Sequence, residues 1–288
     1  MNGGHAMRVF ISLVIISLIV GGGMMLQVPN VSVKATWLWD AAKMNDEEIT
    51  ALLQQKKVNT VYVQIDSAIA FEDYAKFIET AQQMDITVYA LDGSPIWEAL
   101  HYDELHAWLE NYHQQHPKRA FAGIHLDVEP YLSDLWEQDE AKAIENYQYL
   151  IDYATAKATE ADLTLEVDIP FWFDERQYDN AFGTGNFAEW IIAKVDRVTI
   201  MAYRDTAEEI IEISKQEIAF GNVHNTPIII GVETLQSDEG DNVSFTEEGE
   251  RQMNRALKKV VKAYKHDPMF AGIAVHHVIS WGSMGRDF

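Results

Sequence analysis

A chain of 288 residues, 48% hydrophobic and 23% charged, lies in the ordinary globular range, which excludes a disordered or fibrous protein. The formal net charge of −23 opposes nucleic acid, anionic lipid or an acidic polymer as a main partner, because self-repulsion works against each encounter, and favours a neutral ligand. With no cysteine, the chain can form no disulfide, thiol nucleophile or lipidated cysteine. Eight Trp, twelve Tyr and twelve Phe exceed the needs of a core, and flat aromatic faces are surfaces on which sugar rings stack.

At the N-terminus, Arg8 precedes an apolar run from Val9 to Val20, followed by Gly21 to Gly23 and Met24 to Leu26. A basic residue before such a run reads as an export signal. Counted through the glycines, the run is also long enough for an uncleaved anchor. The nearest small-x-small pattern, Val33 and Ala35, lies well beyond it and tips the reading toward the anchor. Residues 1–30 are therefore expected to be a signal peptide or membrane anchor. Residues 31–288 are expected to form one domain, secreted or held on the outer face of the cell membrane, touching the membrane only through that segment.

From Thr36 onward, short apolar or β-branched runs alternate with longer helical patterns. Strand Thr36–Trp39 leads to helix Asp46–Gln55, strand Thr60–Ile65 to helix Tyr74–Met84, and strand Thr87–Leu91 to helix Asp103–Tyr112. Strand Gly123–Leu126 precedes helix Ala141–Ala156, and strands Thr164–Val167 and Arg197–Met201 precede helix Glu208–Ile218. Strand Ile228–Val232, helix Glu247–Tyr264 and strand Gly272–Val275 complete the chain. Eight such strands predict an α/β fold, a single (β/α)8 TIM barrel, whose usual size of about 250 residues matches. Two loops at the C-terminal strand ends, Pro130–Asp139 and Pro170–Phe187, are enlarged and carry Trp and Asp, which makes them the expected walls of a cleft.

The strand ends are unusually polar: Asp40, Gln64 with Asp66, Asp92, Asp127 with Glu129, Asp168, Tyr203 with Arg204 and Asp205, Glu233, and His276 or His277. Residues at this end of a barrel strand read as catalytic, since the loops converge there. Alternation along Phe121–Pro130 puts His125, Asp127 and Glu129 on the inward face. Two inward acids repel when both are ionised, so one is expected to hold a proton near neutrality. That is the requirement for a general acid in glycosidic cleavage. The plain alternative is a pair of carboxylates satisfied by backbone amides or Arg204.

These residues resemble glycoside hydrolase family 18, the chitinase-like enzymes. The family's strand-four pattern D-x-x-D-x-D-x-E falls here on Ala122, His125, Asp127 and Glu129, so two of its four acids are present. Met201-Ala-Tyr-Arg-Asp205 looks like the strand-six motif, and Trp281 follows the last strand. The resemblance implies that Glu129 is the acid and base, with Asp127 orienting the substrate's 2-acetamido group as the nucleophile. It further implies that Tyr203 hydrogen-bonds the acetamido oxygen and that Trp281 floors the sugar site. The substrate would be a glycan or cell-wall polysaccharide containing N-acetylhexosamine, with no cofactor and no metal. Ala122 and His125 alter the proton network beneath Asp127.

Other readings remain open. Glu233, at the end of strand seven, suits the nucleophile of a retaining glycosidase with Glu129 as acid/base, which needs carboxyls about 5 Å apart. Ala122 and His125 suit a non-catalytic glycan-binding relative. His125, Asp127, Glu129, Asp168, His276 and His277 suit a metal-dependent hydrolase, although no compact ligand motif is present. Asp168, Trp172, Trp39, Arg204 and Asp205 are the expected substrate contacts beside His125, with Trp37, Trp97 and Trp136 as further aromatic candidates.

Overall fold

The computed structural model describes residues 33–237 and 240–284. The expected signal or anchor at 1–30 lies outside these residues. Among the described residues, no helix is long and apolar enough to cross a membrane.

Ten strands form among the described residues: β1 (Val33–Leu38), β2 (Thr60–Gln64), β3 (Thr87–Asp92), β4 (Gly123–Leu126), β5 (Thr164–Pro170), β6 (Gln177–Asn180), β7 (Gly183–Asn186), β8 (Arg197–Met201), β9 (Ile228–Glu233) and β10 (Phe270–His276). Eight of them close into a barrel in the order β1-β10-β9-β8-β5-β4-β3-β2, every barrel pairing being parallel. The expected (β/α)8 architecture is therefore present, and each barrel strand overlaps the run that predicts it.

The helices are α1 (Glu47–Lys56), α2 (Phe71–Gln83), α3 (Ala99–Gln115), α4 (Asp134–Gln138), α5 (Glu140–Glu160), α6 (Phe187–Ile192), α7 (Ala207–Ile213), α8 (Lys215–His224), α9 (Gly249–Tyr264) and α10 (Val278–Ser283). The longer helices turn an apolar stripe onto the sheet, whereas the short α4 buries no residue. In α9 the stripe is Met253, Ala256, Leu257, Val260 and Tyr264, all buried and spaced for one helical face. The strands read as continuous apolar runs because both of their faces are covered, and β9 is buried along its whole length.

Two differences from the sequence reading have local causes. The single helix expected over Glu208–Ile218 divides at Ser214, whose hydroxyl donates to the Ile210 carbonyl at 2.7 Å and meets the Tyr264 hydroxyl at 3.1 Å. The loop after β5 is largely regular: a 3-10 turn over Phe171–Glu175, then the antiparallel hairpin β6–β7. That hairpin turns at Gly183, whose φ of 104° favours glycine.

The core has two parts. An outer ring of apolar side chains fills the space between sheet and helices, with Leu38, Tyr74, Ile151 and Val260 among its members. A smaller interior cluster plugs the barrel, built on Ala35, Trp37, Tyr62, Tyr89, Leu91, Ile229 and Ala274. Above and beside this plug the interior becomes ionic, and there the candidate site begins.

Candidate active site

Strand register assembles the foundation of the site. Leu91, His125, Glu166 and Arg197 are in-register neighbours on β3, β4, β5 and β8. The last three are thus held side by side inside the barrel. Arg197 forms an ion pair with Glu166 and donates to the Tyr89 hydroxyl at 3.0 Å. His125 Nδ1 lies 3.5 Å from Glu166, and its Nε2 lies 2.9 Å from Asp168 Oδ2. Trp37 donates its indole N–H to that same Asp168 oxygen at 2.9 Å. Tyr62 stacks on the His125 ring with centroids 3.6 Å apart.

The electrostatics of this column follow from its contacts. Burial alone would push the His125 imidazole down, but Asp168 and Glu166 outweigh it and raise the group to about 9, so His125 is a cation at neutral pH. Burial likewise opposes the ionised form of Glu166, yet His125 and Arg197 hold it below the ordinary carboxylate range. Two cations and two anions thus share the barrel interior, each charge facing its opposite.

Asp127 sits one inward step above His125. Burial, followed by the carboxylates of Asp168 and Glu129, drives its carboxyl well above the usual range, against a weaker opposing pull from His125. Its Oδ1 is shut off from solvent and accepts no hydrogen bond. The surroundings of Asp127 therefore favour its protonated form. Its backbone is equally constrained: the Asp127 amide donates to the Asp92 carbonyl at 3.0 Å. A Cβ placed on Gly93 would lie 2.0 Å from the Asp127 carbonyl oxygen, so only glycine permits this approach.

Glu129 follows on the same face and accepts the hydroxyl of Tyr131 at its Oε1. Tyr203, reaching in from the end of β8, has its hydroxyl raised well above its ordinary value, first by burial and then by Glu233, Asp127, Asp168 and Glu129. Four carboxylates thus act on one phenol, which brings Tyr203 into the same site as the strand-four pair. Its ring lies 6.2 Å from that of His276.

Glu233 and His276 are in-register partners on β9 and β10. Glu233 Oε1 accepts the N–H groups of Thr234 and Leu235 at 2.6 and 2.7 Å, and Oε2 lies 2.8 Å from His276 Nδ1. The Trp39 indole donates to His276 Nε2 at 3.0 Å. Because an indole N–H can only donate, the neutral His276 ring carries its proton on Nδ1 and donates it to Glu233. Trp39, His276 and Glu233 form a braced chain beside Tyr203. The adjacent His277 turns away and caps α10, its Nδ1 accepting the Ile279 N–H at 3.3 Å.

Several expected contacts lie elsewhere. Trp281, expected as the floor of the sugar site, is 1% exposed in the helical layer, where its indole donates to Glu250 and lies beneath the Lys34 and Lys56 ammonium groups. The short helix α10 carries it outward, away from the mouth. His125 and Asp168, expected to touch substrate, are 0% and 1% exposed, and they act from beneath Asp127. Asp205 lies among Glu209, Glu247 and Glu248. Arg204 donates to the Tyr203 carbonyl at 2.7 Å and covers the Phe171 ring, bracing the rim.

Trp172 belongs to an aromatic wall. Its ring lies 5.1 Å from Tyr131, 5.9 Å from Trp136 and 5.0 Å from Phe173. The wall joins the two enlarged loops after β4 and β5. Trp97 stands apart, stacked on His101 and lining a separate cavity of about 220 Å³ with Asp92 and Glu104. Among the described residues, no three His, Asp or Glu side chains converge as metal ligands would.

Sequence reasoning overlooks Glu166, Arg197, Tyr89 and Tyr131. The first two carry a signal, since Glu166 and Asp168 share the inward face of β5 and Arg197 opens that of β8. Tyr131 carries none, because a 3-10 turn has no strand alternation from which to read its direction.

No model of a known protein family and no curated protein matches the sequence. The structure does match solved ones. A Cycas revoluta family 18 chitinase in complex with allosamidin superposes with a TM-score of 0.53 at 13% identity, covering 88% of this chain and 96% of that one. A Pseudoalteromonas aurantia family 18 chitinase gives 0.51 at 11% identity over 85% and 94%. The Bacillus megaterium spore cortex-lytic enzyme SleL gives 0.52 at 12% identity over 87% and 72%. At these identities the likeness is one of fold: the chain is a single (β/α)8 barrel similar to family 18 chitinase barrels, with a divergent strand-four motif.

Proposed function

We propose that the protein is a glycosidase that cleaves glycans containing N-acetylhexosamine, with Glu129 as general acid and base and the substrate's own acetamido group as nucleophile. The observation that carries this reading is the placement of a proton-favouring Asp127 between Asp168 and Glu129, with Tyr203 in the field of the same carboxylates. Glu129 would protonate the glycosidic oxygen as the C1–O bond breaks, while the acetamido oxygen closes onto C1. Asp127 and Tyr203 would hold that acetamido group, and Glu129 would then take a proton from the water that reopens the ring. The allosamidin and (GlcNAc)3 complexes of the structurally similar Cycas revoluta chitinase support a substrate of this class.

The double-displacement alternative is weaker. Three hydrogen bonds engage Glu233, which braces His276 and has no oxygen reserved for a sugar carbon. Export, by secretion or anchoring on the outer face of the membrane, remains part of the proposal and rests on residues 1–30 alone.

The test is hydrolysis of N-acetylglucosamine oligosaccharides and of cell-wall glycan, compared with matched chains lacking the acetamido group. Cleavage of the acetamido substrates alone, abolished in Glu129→Gln, is expected. Cleavage of both classes, or activity that survives Glu129→Gln, would refute the mechanism. Glycan binding without any turnover would identify a chitinase-like binding protein instead.

A further inference from the structure

We propose that Tyr131 is a positioning residue for Glu129, fixing the orientation of its carboxyl and restraining its protonation through the hydrogen bond to Oε1. The proposal builds on the reading of Glu129 as the acid. Its basis is the construction of the turn that follows β4.

Pro130–Leu132 form one 3-10 turn with Pro at its start, closed by the Leu132 amide on the Glu129 carbonyl at 3.0 Å. The Ser133 hydroxyl then donates to the Pro130 carbonyl at 2.7 Å. Proline presets its own φ, and these bonds fix the rest, so the Tyr131 backbone has little freedom. Its ring is held as firmly. Trp172 meets it nearly edge-on at 5.1 Å and 75°, Phe173 at 6.1 Å and 89°, and Trp136 at 6.5 Å and 82°. A phenol held on both counts presents its hydroxyl to the Glu129 carboxyl without paying further entropy to do so.

A donor aimed at a carboxylate stabilises the ionised form and also selects which oxygen faces the substrate. Tyr131 thus sets the balance for Glu129 and ties it to a wall built from the β5 loop.

The test is Tyr131→Phe, which keeps the ring and removes only the donor. Glu129 is titrated by carbon-13 NMR of glutamate-labelled protein, its signal being identified by its loss in Glu129→Gln. Glu129 in Tyr131→Phe is expected to bind its proton about tenfold more tightly than in the wild type, with an unchanged near-ultraviolet circular dichroism spectrum. Hydrolysis should show the alkaline limb of kcat moving up by a similar amount, with little change in KM. Trp172→Leu, which keeps the phenol but loosens it, should move the titration in the same direction by less. An unchanged Glu129 titration in Tyr131→Phe, or one shifted downward, overturns the proposal. The titration is independent of turnover, so a wild-type protein that hydrolyses nothing would refute the glycosidase reading and leave this one to be judged by the NMR result.

Discussion

Glu217 on α8 offers the sharpest physical test of the structure. Its side chain is 0% exposed, and neither carboxyl oxygen has a hydrogen-bonding side-chain partner. Burial raises the group to about 8; its own backbone amide eases the ionised form, and Asp174 opposes it. A folded-state value above the unfolded one means that the folded chain holds a proton the unfolded chain has already lost. The stability contribution is therefore complete below about pH 4.5 and drains away as the pH rises through about 8. The gap between 4.5 and about 8, at about 1.4 kcal/mol per pH unit, sets an upper bound of about 5 kcal/mol. In Glu217→Gln the side chain stays neutral, so this slope vanishes. Thermal unfolding of both proteins from pH 4 to 9 should show the variant gaining on the wild type between about pH 5 and 8, then running parallel to it. At about 2–4 °C per kcal/mol for a domain of this size, the full gain is about 10–20 °C. A difference between the two proteins that does not vary with pH would show that Glu217 is hydrated or paired, and the reasoning would fail.

Three further outcomes are expected. Gly93→Ala forces a Cβ to within 2.0 Å of the Asp127 carbonyl, and a displacement of about 1 Å at the site should cost about 10²-fold in hydrolysis; a fully active, folded variant would contradict this. His125→Asn leaves Asp168 and Glu166 short of a buried cation and should destabilise the fold by about 3–5 kcal/mol; since the folded chain holds the His125 proton up to about pH 9 and the unfolded chain only to about 6.5, the deficit should be largest in acid and shrink as the pH rises through that window. Denaturant titrations at pH 5 and pH 7.5 would reveal the trend, and equal losses would argue against the charge column. Trp281→Ala should cost about 3–5 kcal/mol in stability as a buried aromatic deletion and leave glycan affinity untouched, whereas Trp39→Ala should weaken binding. Calorimetry on both variants separates the two roles.

The barrel is legible in the sequence because strands covered on both faces must be apolar throughout, and the helices between them carry a clear stripe. The inward set His125, Asp127 and Glu129 is legible for the same reason, since alternation alone fixes the face. Register between strands is not written in any one segment, so the row His125, Glu166 and Arg197 emerges only when β4, β5 and β8 pair. Trp281 shows the opposite failure. Its place after the last strand suggests the mouth, but Val278, Trp281 and Gly282 form the buried face of α10, and a helix turn redirects what sequence proximity suggests. His276, one of two adjacent histidines with equal claims, takes the inward place because β10 runs through it and pairs it with Glu233.

The charge column inside the barrel also constrains how this sequence can change. Arg197, Glu166, His125 and Asp168 are balanced two against two, so no member can be exchanged alone for a residue of different charge without stranding its neighbours. Placing an acid at position 125 would set three carboxylates against one guanidinium in a space closed to water. A viable path must change a second residue with it, Glu166→Gln being the conservative choice. His125 is thus one end of a linked set, and a variant of this barrel that changes one of these four positions should have to change another.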